Sequence, residues 1–158
     1  MKFLGDGALV VWSLPNGTDA QAEFLINLAS RLFIARQTFP DSAHAFAEQF
    51  GLLELPHQVR FGVAAGEILR LSVEGPGDEY VGFPINLSSR LQAYCRSLGF
   101  IISGRTGMSR STIKELGFRR VVAKELKGFE SEIVLVDSLD YEALGSDERD
   151  ALFSEVGE

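Results

Sequence analysis

The chain has few of the residues that build disulfides and zinc sites. Cysteine occurs once, at Cys95, and histidine occurs twice, at His44 and His57. A single cysteine excludes an internal disulfide and favours a reducing compartment, so the sequence predicts a cytoplasmic protein. Because the two histidines are far apart and have no cysteine partner, a zinc site is not predicted.

Long apolar runs and a positive charge balance are also missing. No segment approaches the roughly 18 to 20 apolar residues that cross a bilayer, so no membrane segment is expected. The formal net charge is −7. This balance argues against nucleic acid as a partner, because phosphate contacts need a basic surface. It does not exclude a small anionic ligand, since such a ligand needs only a local group of cations.

The sequence instead has the composition of a globular domain, with 46% hydrophobic residues. Strand-like and helix-like segments alternate, which predicts an α/β or α+β fold with a mixed sheet. We expect strands at 2–4, 8–12, 59–64, 67–73, 100–103, 118–123 and 132–137, and helices at 19–39, 42–50, 84–98 and 106–116.

Three positions set expected boundaries. Pro40 is expected to end the first helix, and Gly99 is expected to end the helix over 84–98. We place one domain at residues 1–138. Residues 139–158 are expected to form an acidic C-terminal tail, with Ser146 as the cap of a final helix to about Val156.

Asp6 stands at a predicted hairpin turn. The turn reads Gly5-Asp6-Gly7 between two short apolar runs, and Asp-Gly is a strong signal for a type I′ turn. Taken alone, the turn is more often structural than functional. The functional interpretation places the Asp6 carboxylate at the tip of a rigid ribbon, where it can bind Mg²⁺.

Asn86 and Arg90 are four residues apart in a predicted helix and therefore lie one above the other on its surface. They flank the apolar stripe that includes Leu87 and Leu91. A solvated helix face is the simpler interpretation of such a pair. The functional interpretation is that Asn86 orients the sugar of a nucleotide and Arg90 neutralises charge on a phosphoryl group in the transition state.

Five segments, taken in order, resemble the catalytic domains of class III adenylate and guanylate cyclases. The resemblance covers roughly residues 1–138. The segments are Lys2-Phe3-Leu4-Gly5-Asp6-Gly7, Val59-Arg60-Phe61-Gly62-Val63 with Gly66-Glu67-Ile68, the helix segment Gly82-Phe83-Pro84-Ile85-Asn86-Leu87-Ser88-Ser89-Arg90-Leu91, Ile102-Ser103 with Thr106, and Leu126-Lys127-Gly128-Phe129.

This resemblance implies an α+β fold with a ferredoxin-like, palm-like mixed sheet and flanking helices. It also implies a homodimer with active sites at the interface. The implied reaction converts ATP to cyclic AMP and pyrophosphate in intracellular signal transduction, with two Mg²⁺ or Mn²⁺ ions as cofactors. The ions clamp the attacking and leaving oxygens in such a phosphoryl transfer.

The resemblance also assigns roles by position. Asp6 matches a metal-binding carboxylate, and Asn86 and Arg90 match the catalytic pair. The three substrate-binding candidates are Lys2 and Glu79, which match residues that select the base, and Lys127, which matches a phosphate contact. A lysine donor with a carboxylate acceptor suits adenine, so ATP is the expected substrate.

Two departures from the family pattern bear on the fold and on the start of the signature helix. The family's first strand carries the first metal carboxylate, and no counterpart precedes Lys2, so the fold is expected to be N-terminally incomplete and the chain inactive alone. Phe83-Pro84 replaces the usual small polar pair. Two alternatives therefore stay open: a degenerate cyclase-like domain that binds nucleotide or dimerises as a regulatory module, and a diguanylate-cyclase type, which the absence of a Gly-Gly-Asp/Glu-Glu-Phe segment disfavours.

Overall fold

A computed structural model describes residues 2–4, 7–52, 56, 58–72, 78–94 and 97–156, with residues 2–4 described by their backbone alone. Its strands are β1 (Lys2–Leu4), β2 (Gly7–Leu9), β3 (Phe61–Val63), β4 (Leu69–Ser72), β5 (Asp78–Val81), β6 (Phe100–Ser103), β7 (Phe118–Ala123), β8 (Glu132–Asp137) and β9 (Phe153–Glu155). Its helices are α1 (Thr18–Phe50), α2 (Phe83–Tyr94), α3 (Arg110–Glu115), α4 (Ser138–Ala143) and α5 (Ser146–Leu152), and a 3-10 turn covers Gly104–Thr106.

The main sheet is mixed and has five strands in the order β3-β6-β8-β7-β9. β3 and β6 are parallel, whereas the other neighbouring pairs are antiparallel. Helices flank this sheet, so the expectation of an α+β fold with a mixed sheet is confirmed. Two hairpins, β1–β2 and β4–β5, form separate two-stranded sheets. β2 is shorter than the strand expected at 8–12.

The core lies on both faces of the main sheet. β6 shows how one strand serves both faces, because successive side chains point in opposite directions. Ile101 joins the cluster formed with Leu87 and Leu91 of α2, while Phe100 and Ile102 join a second cluster with Ala29 of α1. All four residues of β6 are buried, which explains why its first three residues are large and apolar. No helix among the described residues is both long enough and apolar enough to cross a membrane.

α1 is one continuous helix of 33 residues with Pro40 inside it, so the expected break after residue 39 is wrong. Proline removes a single backbone hydrogen bond from a helix, and the rest of this helix is retained. The Thr38 and Ser42 hydroxyls donate to carbonyls one turn earlier, at Ile34 and Thr38. The helix ends at Gly51, whose φ of 63° is the left-handed conformation that glycine adopts readily.

α2 is shorter than expected, because it ends at Tyr94 instead of residue 98. Gly99 therefore does not end this helix. It lies directly before β6, and its carbonyl accepts a hydrogen bond of 2.9 Å from the Phe61 N–H. The expected helix over 106–116 is likewise shorter, since Gly107 follows the 3-10 turn and α3 begins at Arg110.

The segment after residue 138 packs on the main sheet. The final helix, α5, is present, but its N-cap is Gly145 and Ser146 is its first residue, so the expected cap at Ser146 is wrong. The helix ends at Leu152, and β9 follows and pairs with β7. Tyr141, Leu144 and Phe153 from this segment join the core cluster of α2. The acidic segment is therefore partly helical, and it contributes one strand and three core side chains to the domain.

Candidate functional site

α2 presents Asn86 and Arg90 to solvent on one side of the helix. Leu87 and Leu91 are completely buried against the main sheet, and these two anchors fix the rotation of the helix about its axis. With this rotation both Asn86 and Arg90 are exposed. The two side chains are four residues apart and lie on adjacent turns, as expected. Neither forms a hydrogen bond or ion pair with another described residue.

The first turn of α2 is held by Phe83. Its ring packs edge-on against Phe129, with 5.1 Å between the centroids. The guanidinium of Arg105 lies 4.7 Å from the centre of the same ring. Because Phe129 is two residues after Lys127, these contacts bring the turn between β7 and β8 next to the start of α2.

Lys127 is exposed in that turn, and its neighbour Leu126 is buried in the same cluster as Leu87 and Leu91. Positive φ at Gly128, 84°, shapes the turn. The structure therefore brings together two of the regions that the sequence singled out: the helix with Asn86 and Arg90, and the turn with Lys127.

Arg105 is itself fixed by a buried carboxylate. Glu132 is 3% exposed and accepts hydrogen bonds from Arg105 Nε and Nη2, each at 2.9 Å. The Ser103 hydroxyl donates to the same carboxylate at 3.0 Å. The hydrogen bond to Glu132, together with the charge of that carboxylate, raises the pKa of Arg105 above its usual value. Arg105 therefore stays charged and rigidly oriented beside Phe83.

Arg105 and the contact of Phe83 with Phe129 were not expected from the sequence. The departure of Phe83-Pro84 from the family pattern is the one signal in the sequence that points to them. Pro84 is buried in the first turn of α2, a position where the missing N–H costs nothing. The residue before it, Phe83, reaches the turn with Lys127 through its contact with Phe129.

Glu79 lies in β5, opposite Leu71 of β4, and is exposed. In the same hairpin, Arg70 of β4 and Asp78 of β5 form an ion pair, with a distance of 2.6 Å between Nη2 and Oδ2. This contact raises the pKa of Arg70, first through the hydrogen bond and then through the charge of Asp78. Since β5 is joined to α2 by Gly82 alone, Glu79 and Asn86 belong to consecutive elements.

The remaining two candidates belong to the β1–β2 hairpin. Lys2 pairs with Leu9 in the backbone register of that hairpin, and its side chain lies outside the described part. Asp6 lies outside the described residues altogether. Within the described ranges no group of three or more His, Cys, Asp or Glu side chains is arranged to hold a metal ion. The hairpin is not part of the five-stranded sheet, whereas α2 packs on that sheet. Strand pairing therefore does not join Lys2 to the sheet that carries α2.

Three exposed polar side chains therefore belong to this part of the structure. Arg90 and Lys127 carry positive charge, and the Asn86 amide can act as a donor and as an acceptor. Comparisons with family models, with curated proteins and with solved structures give no match to this chain.

Proposed function

We propose that this chain is a nucleotide cyclase domain that converts ATP to cyclic AMP and pyrophosphate. The observation that carries the proposal is the exposure of Asn86 and Arg90 on one side of α2, next to a turn that presents Lys127. A helix that packs through one stripe and keeps an amide and a guanidinium adjacent and exposed offers accessible polar groups to a ligand.

In the proposed reaction the ribose 3′ hydroxyl attacks the α-phosphate, and pyrophosphate leaves. Arg90 stabilises the negative charge that develops on the transferred phosphoryl group, because a guanidinium remains charged and offers several donors in one plane. Asn86 orients the ribose, which places the attacking oxygen close to phosphorus. Lys127 contacts the phosphates.

Base selection is assigned to Lys2 and Glu79. A lysine donates hydrogen bonds, and a carboxylate accepts them. This pair suits the N1 atom and the exocyclic amine of adenine, whereas guanine presents the reverse pattern. Mg²⁺ or Mn²⁺ would be held by Asp6 and would supply the charge that holds the triphosphate.

The proposed active form is a homodimer. The β4–β5 hairpin supports this proposal, because Leu69 and Val81 are opposite each other and share a face with Leu71. All three are exposed large hydrophobic side chains. An exposed apolar face of this kind is typical of an interaction surface. It carries Glu79 as well, so a partner on this face would adjoin a predicted substrate contact.

The alternative proposal is a cyclase-like regulatory module that binds nucleotide without turning it over. One observation favours it: the β1–β2 hairpin forms its own sheet. The two predicted halves of the site, Lys2 with Asp6 and Asn86 with Arg90, are therefore not joined through a common sheet.

The test is to measure nucleotide binding and product formation on the same sample. The purified chain is incubated with Mn²⁺ and ATP, and cyclic AMP and pyrophosphate are quantified, while binding of a non-reacting ATP analogue is followed by calorimetry. Arg90→Ala is compared with Arg110→Ala, which removes an exposed arginine on α3. Turnover that is lost only in Arg90→Ala supports the cyclase, whereas binding without turnover supports the regulatory module. If neither binding nor turnover is observed, both proposals are wrong.

A further inference from the structure

α1 is much longer than the sheet on which it packs. Its 33 residues span about 50 Å, whereas the four residues of β6 span about 13 Å. Ala29 packs against β6, and Arg36, two turns later, lies beside Gly99 at the point where that strand begins. The helix continues from there to Phe50, a further distance of about 21 Å. Its last turns therefore project beyond the sheet.

The projecting part, residues 41–50, interacts mainly with itself. Among the described residues its hydrogen bonds, ion pairs and ring contacts all lie within α1. His44 Nε2 is 3.3 Å from Glu48 Oε1, and the ring centroids of Phe46 and Phe50 are 4.5 Å apart. No residue of this part is buried.

The apolar stripe of α1 nevertheless continues to the end of the helix. Leu25 and Ala29 are its buried members. The same spacing of three and four residues extends to Phe50, so one side of the helix is apolar along its whole length apart from Arg36. Phe46 is 50% exposed and Phe50 is 57% exposed. We call the part of the stripe beyond Arg36 the distal face, and its residues are Phe39, Ala43, Phe46, Ala47 and Phe50.

The charged side chains of the projecting part lie away from the distal face. Asp41, His44 and Glu48 are each about 100° or more from the centre of the stripe around the helix axis. The positions that border the face, Ser42 and Gln49, are uncharged. A strongly acidic or basic partner would therefore find no opposite charge here, whereas two copies of the face can meet without like charges opposed. This matters because the chain has a net charge of −7, which otherwise opposes self-association.

We propose that the distal face binds the distal face of a second copy of this chain, as a two-fold, antiparallel pair of helices. Along the first half of α1 the stripe turns toward the chain's own sheet, so a parallel partner would occupy the space of that sheet. An antiparallel partner runs on past Phe50, away from the sheet. With the two-fold axis between residues 44 and 45, Ala43 opposes Phe46 of the second copy, so a small side chain leaves room for each central ring.

The interface is small and separate from the proposed cyclase surfaces. It covers about three helical turns of each copy, which is less than the standard interface of about 1,600 Å², so we expect a Kd of about 10 μM. It lies on α1, whereas the proposed cyclase dimer uses the β4–β5 hairpin. The inference is independent of the cyclase proposal, and a chain that uses both surfaces would form an assembly larger than a dimer.

The experiment is sedimentation equilibrium of the purified chain over protein concentrations that bracket the expected Kd. Phe46→Glu places a charge in the centre of the face and should weaken self-association at least about tenfold. Ile34→Glu is the matched control, because Ile34 is 58% exposed and lies on the opposite side of the same helix. It should leave the self-association unchanged. If Phe46→Glu does not fold, Phe50→Glu at the end of the helix replaces it.

Leu71→Glu, on the β4–β5 hairpin, separates the two interfaces. Self-association that is lost in Leu71→Glu but kept in Phe46→Glu would overturn this inference and leave the proposed cyclase dimer intact. A wild-type chain that is monomeric at every concentration would also overturn it. In that case a loss of thermal stability in Phe46→Glu would show that the chain covers the distal face itself.

Discussion

Gly99 leaves room for the side chain of Arg36. A Cβ at position 99 would lie 2.0 Å from Arg36 Nε and 2.4 Å from its Cζ, so any larger residue would occupy the space of the guanidinium. The backbone at Gly99 has little freedom to withdraw, because its carbonyl is bonded to the Phe61 N–H. In its present position Arg36 reaches Asp140, and joins α1 to α4, through space that a side chain at residue 99 would occupy.

Gly99→Ala should lower the free energy of unfolding by about 1–3 kcal/mol, because Arg36 must leave Asp140. Urea denaturation measures the change. The matched control is Gly145→Ala, since a Cβ at position 145 meets no atom within 4 Å and the loss of a glycine cap costs less than about 1 kcal/mol. Equal losses in the two variants would show that the contact with Arg36 is not responsible.

Glu132→Gln should lower the free energy of unfolding by about 1–3 kcal/mol, because the buried acceptor of Arg105 and Ser103 loses its charge. Glu130→Gln, at an exposed position two residues away, is the control and should change little. Because the pKa of Arg105 is raised, its contribution is fully present below its ordinary pKa and is lost only as the pH rises through the raised value. The stability that Arg105 provides should therefore be constant from neutral to mildly alkaline pH. A steep decline over that range, specific to the wild-type chain, would contradict this account.

Tyr94→Phe should cost about 1 kcal/mol and should loosen β9 in particular. The Tyr94 hydroxyl lies within hydrogen-bond distance of the Leu152 carbonyl at the end of α5 and of the Lys124 carbonyl after β7, so it ties α2 to both segments. Hydrogen exchange should accelerate at Ser154 and Glu155 more than in β8. Tyr80→Phe is the control because its hydroxyl forms no hydrogen bond to a described residue. The same acceleration in both variants would count against this tie.

Arg90→Ala should leave stability unchanged within about 0.5 kcal/mol, because the side chain is exposed and forms no ion pair with a described residue. If the proposed chemistry is right, kcat should fall far more than KM rises, since the charge acts mainly in the transition state. Steady-state kinetics with Mn²⁺ and ATP measures both constants. An equal loss in the binding of a non-reacting analogue would identify Arg90 as a ground-state contact.

The buried strands could be predicted from the sequence, and the segments shaped by distant contacts could not. The bounds expected for β6, β7 and β8 agree with the structure. Short segments rich in apolar residues and bounded by turn residues are typical of buried strands. The helix end predicted at Pro40 was wrong. Proline disfavours the helical conformation of the residue before it, but the free-energy cost is smaller than the free energy gained by continuing α1. Gly99 resembled a helix end, but its role depends on Arg36, which lies far away in the sequence.

The candidate site shows the same division. The exposure and spacing of Asn86 and Arg90 follow from one helical stripe, so the sequence was sufficient for their position on α2. The contacts of Phe83 with Arg105 and Phe129 join three separate segments, and no local pattern encodes them. The pairing of β9 with β7 was also missed, because three residues after a helix carry too little strand signal.

The position of β9 has a consequence for biosynthesis. Of the five strands in the main sheet, β9 is the last to leave the ribosome, yet Phe153 is 2% exposed and packs in the core with Tyr94 and Tyr141. Until residues 153–155 emerge, the outer backbone of β7 has no partner and the pocket for Phe153 is empty. A nascent chain must therefore wait with an open sheet edge, which is the kind of surface that chaperones shield and that other chains can join.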